Sequence, residues 1–143
     1  MEVNNLIEKY FKVKKIMAII HRSVALEDND MTLTDAVVFM KINSENEMTL
    51  GRLSDLTGFS NTLITFTVDS LESKGLVTRT RGKDRRTILV TVTEKGKEKY
   101  STMKDSFNRN FSKLFSKLSD DEIEKLMNDF NDIINIMEKV VSD

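Results

Sequence analysis

No proline occurs among the 143 residues of this chain. Proline breaks helices, because it lacks the N–H donor and clashes with the preceding turn. Its absence, with only five glycines, favours long uninterrupted helices over a loop-rich fold. At 39% hydrophobic and 31% charged residues, the chain has the composition of a folded soluble protein, not of a disordered tail. Its length predicts one domain, 1–143, since domains run to about 100–200 residues. Charges interrupt every apolar run well short of the roughly 18 residues that a membrane span needs. The start, Met1-Glu2-Val3-Asn4-Asn5, has no basic segment, apolar core or small-residue cleavage site of a signal peptide. With no cysteine there is no disulfide framework, thiolate zinc site or cysteine nucleophile. The expected compartment is the cytoplasm.

The apolar periodicity places the elements. From Val3 to Val24, Leu6, Tyr10, Phe11, Val13, Met17, Ile20 and Val24 recur in steps of three and four and form one helical stripe. Thr32 can cap a second helix carrying Ala36, Val38, Phe39 and Ile42, with Asp35 favourable at its positive end. Residues 43–48 are polar and read as a loop. Thr49 caps a short helix with Leu50, Leu53 and Leu56, Gly58 permits a tight turn, and Ser60 caps a helix to about Lys74. Leu63, Ile64, Val68 and Leu71 are its expected inward face. Gly75 stands where a left-handed residue ends a helix. The period then falls to two: Leu76–Thr80 and Thr87–Val92 predict a hairpin around a basic loop. Thr93 caps a long helix with Tyr100, Met103, Phe107, Phe111 and Phe115 on one face. Ser119-Asp120-Asp121-Glu122 is a capping box for the last, with Ile123, Phe130, Ile134 and Met137.

This order predicts a mainly α (α+β) fold. A winged helix-turn-helix lobe, residues 32–92, lies between long N-terminal (1–30) and C-terminal (94–143) dimerisation helices. A chain of this size has difficulty burying three long stripes within itself, so the terminal helices are expected to pack against a second copy; a monomeric bundle is the alternative.

Charge is distributed unevenly. The net charge is −1, yet residues 49–92 hold seven basic and four acidic side chains, a net of +3. The flanks, 1–48 and 93–143, each carry −2. Arg79 to Arg86 alone has five positive charges and one negative. A cationic centre between acidic helices is the pattern of a local polyanion site; a merely solvated loop is the alternative.

The run Thr49-Leu50-Gly51-Arg52-Leu53-Ser54-Asp55-Leu56-Thr57, the segment Ser60 to Gly75, Lys83-Asp84-Arg85-Arg86 at the wing and Val92-Thr93-Glu94-Lys95-Gly96 behind it resemble the MarR family of bacterial and archaeal transcriptional regulators. The resemblance covers about half the chain, Met31 to Gly96, and extends to the terminal helices only in length and pattern. It implies a triangular homodimer joined through its N- and C-terminal helices, bound to pseudo-palindromic operator DNA, usually as a repressor. It also implies release by a small phenolic or otherwise lipophilic ligand in many members, while others respond to oxidation or metals.

The helix from Ser60 is the expected recognition helix, its early part in the major groove. Ser60, Asn61, Thr62 and Thr65 can contact bases or phosphates. Family members often carry basic residues mid-helix, where this chain has Phe66 and Ser70. No Lys or Arg occurs from Ser60 to Ser73, which removes the commonest pairing, arginine with guanine. Phe66 is expected in the core, with contact to a thymine methyl as the alternative. Affinity then rests on the wing: Arg81, Lys83, Arg85 and Arg86 can neutralise phosphates, and Arg52 can do so from the preceding helix. By the family's Asp-x-Arg pattern Arg86 is the expected minor-groove residue and Asp84 is expected to orient a nearby guanidinium, a surface-loop aspartate being the alternative; Arg85 could exchange roles with Arg86, because neighbours on a strand face opposite ways.

Other chemistry finds little support. His21 is the single histidine, and a lone histidine on an apolar helix is ordinarily packed or solvated. If a ligand cleft exists, Met17, His21, Phe39 and Phe111 are its expected walls. Glu27-Asp28-Asn29-Asp30 and Glu45-Asn46-Glu47 lack calcium-loop spacing and read as solvated turns. No metal, cofactor or catalytic constellation is expected, and thiol-based oxidation sensing is excluded. The alternative function is a winged-helix module for protein contacts without operator binding.

Overall fold

A computed structural model of the chain describes residues 3–23 and 31–142. Its contacts form two compact units, Met1–Asn110 and Phe111–Asp143. In the first, α1 (Val3–Ser23) is followed by α2 (Leu33–Glu45), β1 (Glu47–Thr49), α3 (Leu50–Thr57), α4 (Asn61–Ser73), β2 (Val77–Arg81) and β3 (Ile88–Val92), and α5 (Glu94–Phe115) begins. The second holds the end of α5 and α6 (Asp120–Val141). Val24 and the acidic run Glu27–Asp30 lie outside the described residues.

The expected caps are present. Thr32 accepts from the Asp35 N–H (3.0 Å), and the Asp35 carboxylate accepts in return from the Thr32 N–H (3.1 Å). Thr49 caps α3 through the Arg52 N–H, Ser60 caps α4 through the Leu63 N–H, and Ser119 forms the reciprocal box with Glu122 at α6. Gly58 and Gly75 adopt φ of 69° and 73°, a region costly for any side chain with a Cβ. At Gly75 the Leu76 N–H reaches the Leu71 carbonyl and the Gly75 N–H reaches that of Glu72, a Schellman ending.

Residues 43–48 are not a loop. Helix α2 continues through Glu45, Asn46 turns the chain at φ 64°, and Glu47–Thr49 forms a third strand. The sheet order is β1-β3-β2, all antiparallel, with Met48 opposite Val90 and Arg79 opposite Val90 on the other side. Three residues are too few to display a period of two. Asparagine tolerates positive φ better than other residues with a Cβ, and Met48 brings its buried side chain to the core. That core is built from Val38, Phe39, Ile42, Leu53, Ile64, Val68, Leu71 and Val90, all fully buried.

The Thr93-Glu94-Lys95-Gly96 run is a clasp. The Thr93 hydroxyl donates to the Gly75 carbonyl (2.6 Å) and accepts from the Gly96 N–H (3.0 Å), while the Thr93 N–H reaches the Leu76 carbonyl (3.1 Å). Lys95 donates to the Lys74 carbonyl at the end of α4 (2.9 Å), where a cation opposes the helix dipole. A Cβ on Gly96 would lie 2.1 Å from the Leu76 carbonyl oxygen, so only glycine lets α5 start this close to the turn behind α4.

Helices α1 and α6, of 21 and 22 residues, each contain no buried residue. Leu6, Tyr10 and Phe11 on α1 are exposed, as are Ile133, Ile134 and Met137 on α6. Among the described residues, no helix is long and apolar enough to cross a membrane.

Candidate nucleic-acid interface

The buried face of α4 is Ile64, Thr67, Val68 and Leu71. Two expectations need correction. Leu63 is 37% exposed, and Thr67 occupies the inward slot, because spacings of three and four from Ile64 lead to 67, 68 and 71. Phe66 is not in the core but 71% exposed. It lies on the opposite face, where Asn61, Thr62, Thr65, Phe66 and Asp69 line a shallow depression. The same spacing rule carried the signal: once 64, 67, 68 and 71 point inward, 62 and 66 point outward together.

Beside this face, Arg79 is withdrawn from the basic run. Alternation along β2 puts it on the side of buried Val77. Its guanidinium donates to Asp69 (2.6 Å) and to Glu72, and its backbone N–H donates to the Glu72 carboxylate (3.1 Å). Burial pulls the Arg79 pKa down, but hydrogen bonds and attraction from Asp69 and Glu72 outweigh it, and the net shift is upward. The guanidinium remains charged and offsets the two carboxylates of α4. Lys74 likewise bridges Asp35 (3.4 Å) and the Ser70 hydroxyl (3.1 Å), joining the ends of α2 and α4.

The wing closes through the Gly82 N–H to the Thr87 carbonyl (2.8 Å) and the Thr87 N–H to the Asp84 carbonyl (2.9 Å). Asp84 does not hold a guanidinium. Its carboxylate accepts from the backbone N–H of Arg86 (3.1 Å), shaping the tip as an Asx turn. Arg81, Lys83, Arg85 and Arg86 are exposed, and the described residues give none of the four an ion-pair partner. Arg52 is exposed on α3. Charge and chain position thus separate two surfaces: a cation-free face on α4 and a cationic loop between β2 and β3.

The residues expected around a ligand are placed differently from one another. Met17 and His21 are exposed on α1. Phe39 is fully buried and meets Tyr100 edge-on, with ring centroids 6.1 Å apart. Phe111, in the second unit, stacks on Phe115 at 5.8 Å. Glu45 and Glu47 end α2 and begin β1, and the described residues contain no cluster of three or more His, Cys, Asp or Glu able to hold a metal.

Comparison with known proteins agrees with this architecture. Residues 21–103 match the family described as transcriptional regulator SarA/Rot. The chain is 30% identical over 111 residues to the HTH-type transcriptional regulator SarZ of Staphylococcus haemolyticus, covering 77% of this chain and 74% of that protein. Its fold is similar to a MarR transcriptional regulator from Methanosarcina mazei (TM-score 0.75, 23% identity, 96% of this chain and 99% of that one). It is also similar to the organohalide-sensing regulator RdhR in its 2,4-dichlorophenol-bound form (TM-score 0.82, 15% identity, 99% and 85%). A helix-turn-helix with an exposed cationic wing and a match over these residues lead to one conclusion: the chain belongs to the SarA/Rot family of transcriptional regulators and has the MarR-type winged-helix fold.

Proposed function

We propose that the protein is a homodimer that binds a pseudo-palindromic operator in double-stranded DNA and represses transcription from it. The observation that carries the DNA-binding part is the set of four exposed cations, Arg81, Lys83, Arg85 and Arg86, on a hairpin beside a helix whose outer face sets hydroxyl and amide groups around one exposed phenylalanine. In this reading α4 enters the major groove with Ser60, Asn61, Thr62 and Thr65 foremost. Arg85 or Arg86 enters the minor groove, and Arg52 and Arg81 contact phosphate. Asp84 acts through the turn it stabilises. The exposed apolar stripes of α1 and α6 support the dimer, since helices of that length with no buried residue leave their apolar faces in water until a partner covers them.

The proposal includes release by a small lipophilic ligand, for which Met17 and His21, exposed on α1, are the wall candidates. RdhR, similar in fold, has been seen with 2,4-dichlorophenol bound. The exposed Phe66 on a cation-free helix is the one feature that favours the alternative, a winged helix used for protein contact.

Titration of a fluorescent duplex from upstream of the gene, and of a shuffled duplex, at several salt concentrations separates the two. Operator binding gives preference for the native duplex and log affinity falling with log salt at about 0.9 per phosphate neutralised. Equal, weak and salt-insensitive binding refutes it. Phenols added to the bound complex test the release.

A further inference from the structure

We propose that Phe66 determines operator specificity by reading thymine 5-methyl groups in the major groove. The inference rests on the operator-binding reading above. Four inward positions of α4 are filled by buried side chains, so the exposure of Phe66 (71%) is not a packing failure. An aromatic ring left in water has a large area to bury on a partner.

The surroundings of the ring select that partner. Asn61, Thr62 and Thr65 provide hydroxyl and amide groups around it, and Asp69 provides a carboxylate already countered by Arg79. The face therefore offers hydrogen bonds and an aromatic surface, and the adjacent Arg79 guanidinium is already engaged by Asp69 and Glu72. On base edges in the major groove the thymine methyl is the apolar group, and the adenine paired with it presents the N7 acceptor and N6 donor that an asparagine can meet. Neither an arginine nor a lysine stands on the outer face of α4 to pair with guanine. The chemistry of the face thus fits A·T pairs. A protein partner fits less well. Leu63, 37% exposed, is the neighbouring apolar side chain, and the rest of the face is polar, whereas the centre of a stable protein interface is mainly apolar.

The test uses duplexes selected by the full-length protein from a random pool. Each thymine of the selected site is replaced in turn by deoxyuridine, which removes the methyl and keeps every hydrogen-bonding group. For the unaltered protein, one or two positions in each half-site should weaken binding about four-fold, the value of one buried methyl. Phe66→Ala should bind the thymine and uracil duplexes equally, with an unchanged salt dependence, and Phe66→Leu should retain part of the discrimination. Circular dichroism melts of both variants should match the parent, because the residue is exposed. The inference is overturned if Phe66→Ala keeps the thymine-to-uracil ratio, or if the unaltered protein selects a site yet is indifferent to every methyl. In those cases operator binding itself stands. If the protein selects no sequence at all, operator recognition fails and the role of Phe66 fails with it.

Discussion

Replacing Gly96 with alanine tests whether the clasp at the start of α5 depends on close backbone approach. The added Cβ would lie 2.1 Å from the Leu76 carbonyl oxygen and 2.7 Å from Val92 Cγ1. Ordinary contact distance for such atoms is about 3.5 Å, so relief requires a displacement of roughly 1 Å or more. The obstacle is a backbone carbonyl, not a flexible side-chain tip, and it already accepts from the Thr93 N–H at 3.1 Å. Moving it by that amount breaks the bond, a loss of about 1 kcal/mol, and overpacking adds about 1–3 kcal/mol. Helix propensity returns up to about 1 kcal/mol, since alanine is the better helix former. The net is a destabilisation of about 1–4 kcal/mol. At roughly 3 °C per kcal/mol for a chain of this size, Tm should fall by about 3–12 °C, measured by far-UV circular dichroism at fixed protein concentration. Gly51→Ala is the control: its Cβ would meet nothing within 4 Å in α3, so Tm should stay level or rise by the equivalent of up to about 1 kcal/mol. A Gly96→Ala protein melting at or above the parent would refute the reasoning, because only helix propensity would then have mattered.

Other changes probe the interface and the assembly. Arg79→Met should leave Asp69 and Glu72 without their counter-charge beside the surface proposed to face DNA, weakening operator affinity by about ten-fold through repulsion of phosphate; unaltered affinity would show that these carboxylates face away from the duplex. Arg86→Ala should cost about 1–3 kcal/mol of binding free energy, and Arg85→Ala the same if that residue occupies the minor groove instead, so anisotropy titrations of the pair assign the role. Asn61→Ala should relax preference at one base position per half-site, read by repeating the duplex selection. Phe11→Glu, a charge placed in the exposed stripe of α1, should shift the protein from dimer to monomer in light scattering, and a parent that is already monomeric would remove the basis for the dimer.

Much of the fold is legible in the chain because its signals are local. Thr32, Thr49, Ser60 and Ser119 announce helix starts through a side chain reaching an N–H three residues on. The switch to a period of two marks the hairpin, and the basic run marks the wing. What escaped a sequence reading depends on partners distant in the chain or on an ambiguous local pattern. Strand β1 exists because β3 offers it a ladder; its three residues carry too little pattern to be recognised alone. Phe66 looks like core material by type, and its outward position follows only from which neighbours of Ile64 are buried. Arg79 looks like a wing cation until the sheet turns it toward Asp69 and Glu72 on another element. Gly96 can be seen in the sequence as part of a motif, but its necessity is a distance to Leu76, twenty residues earlier. Local hydrogen bonding and periodicity were thus determined by the sequence itself, whereas tertiary packing decided which charges are spent inside the protein and which aromatic ring is left facing outward.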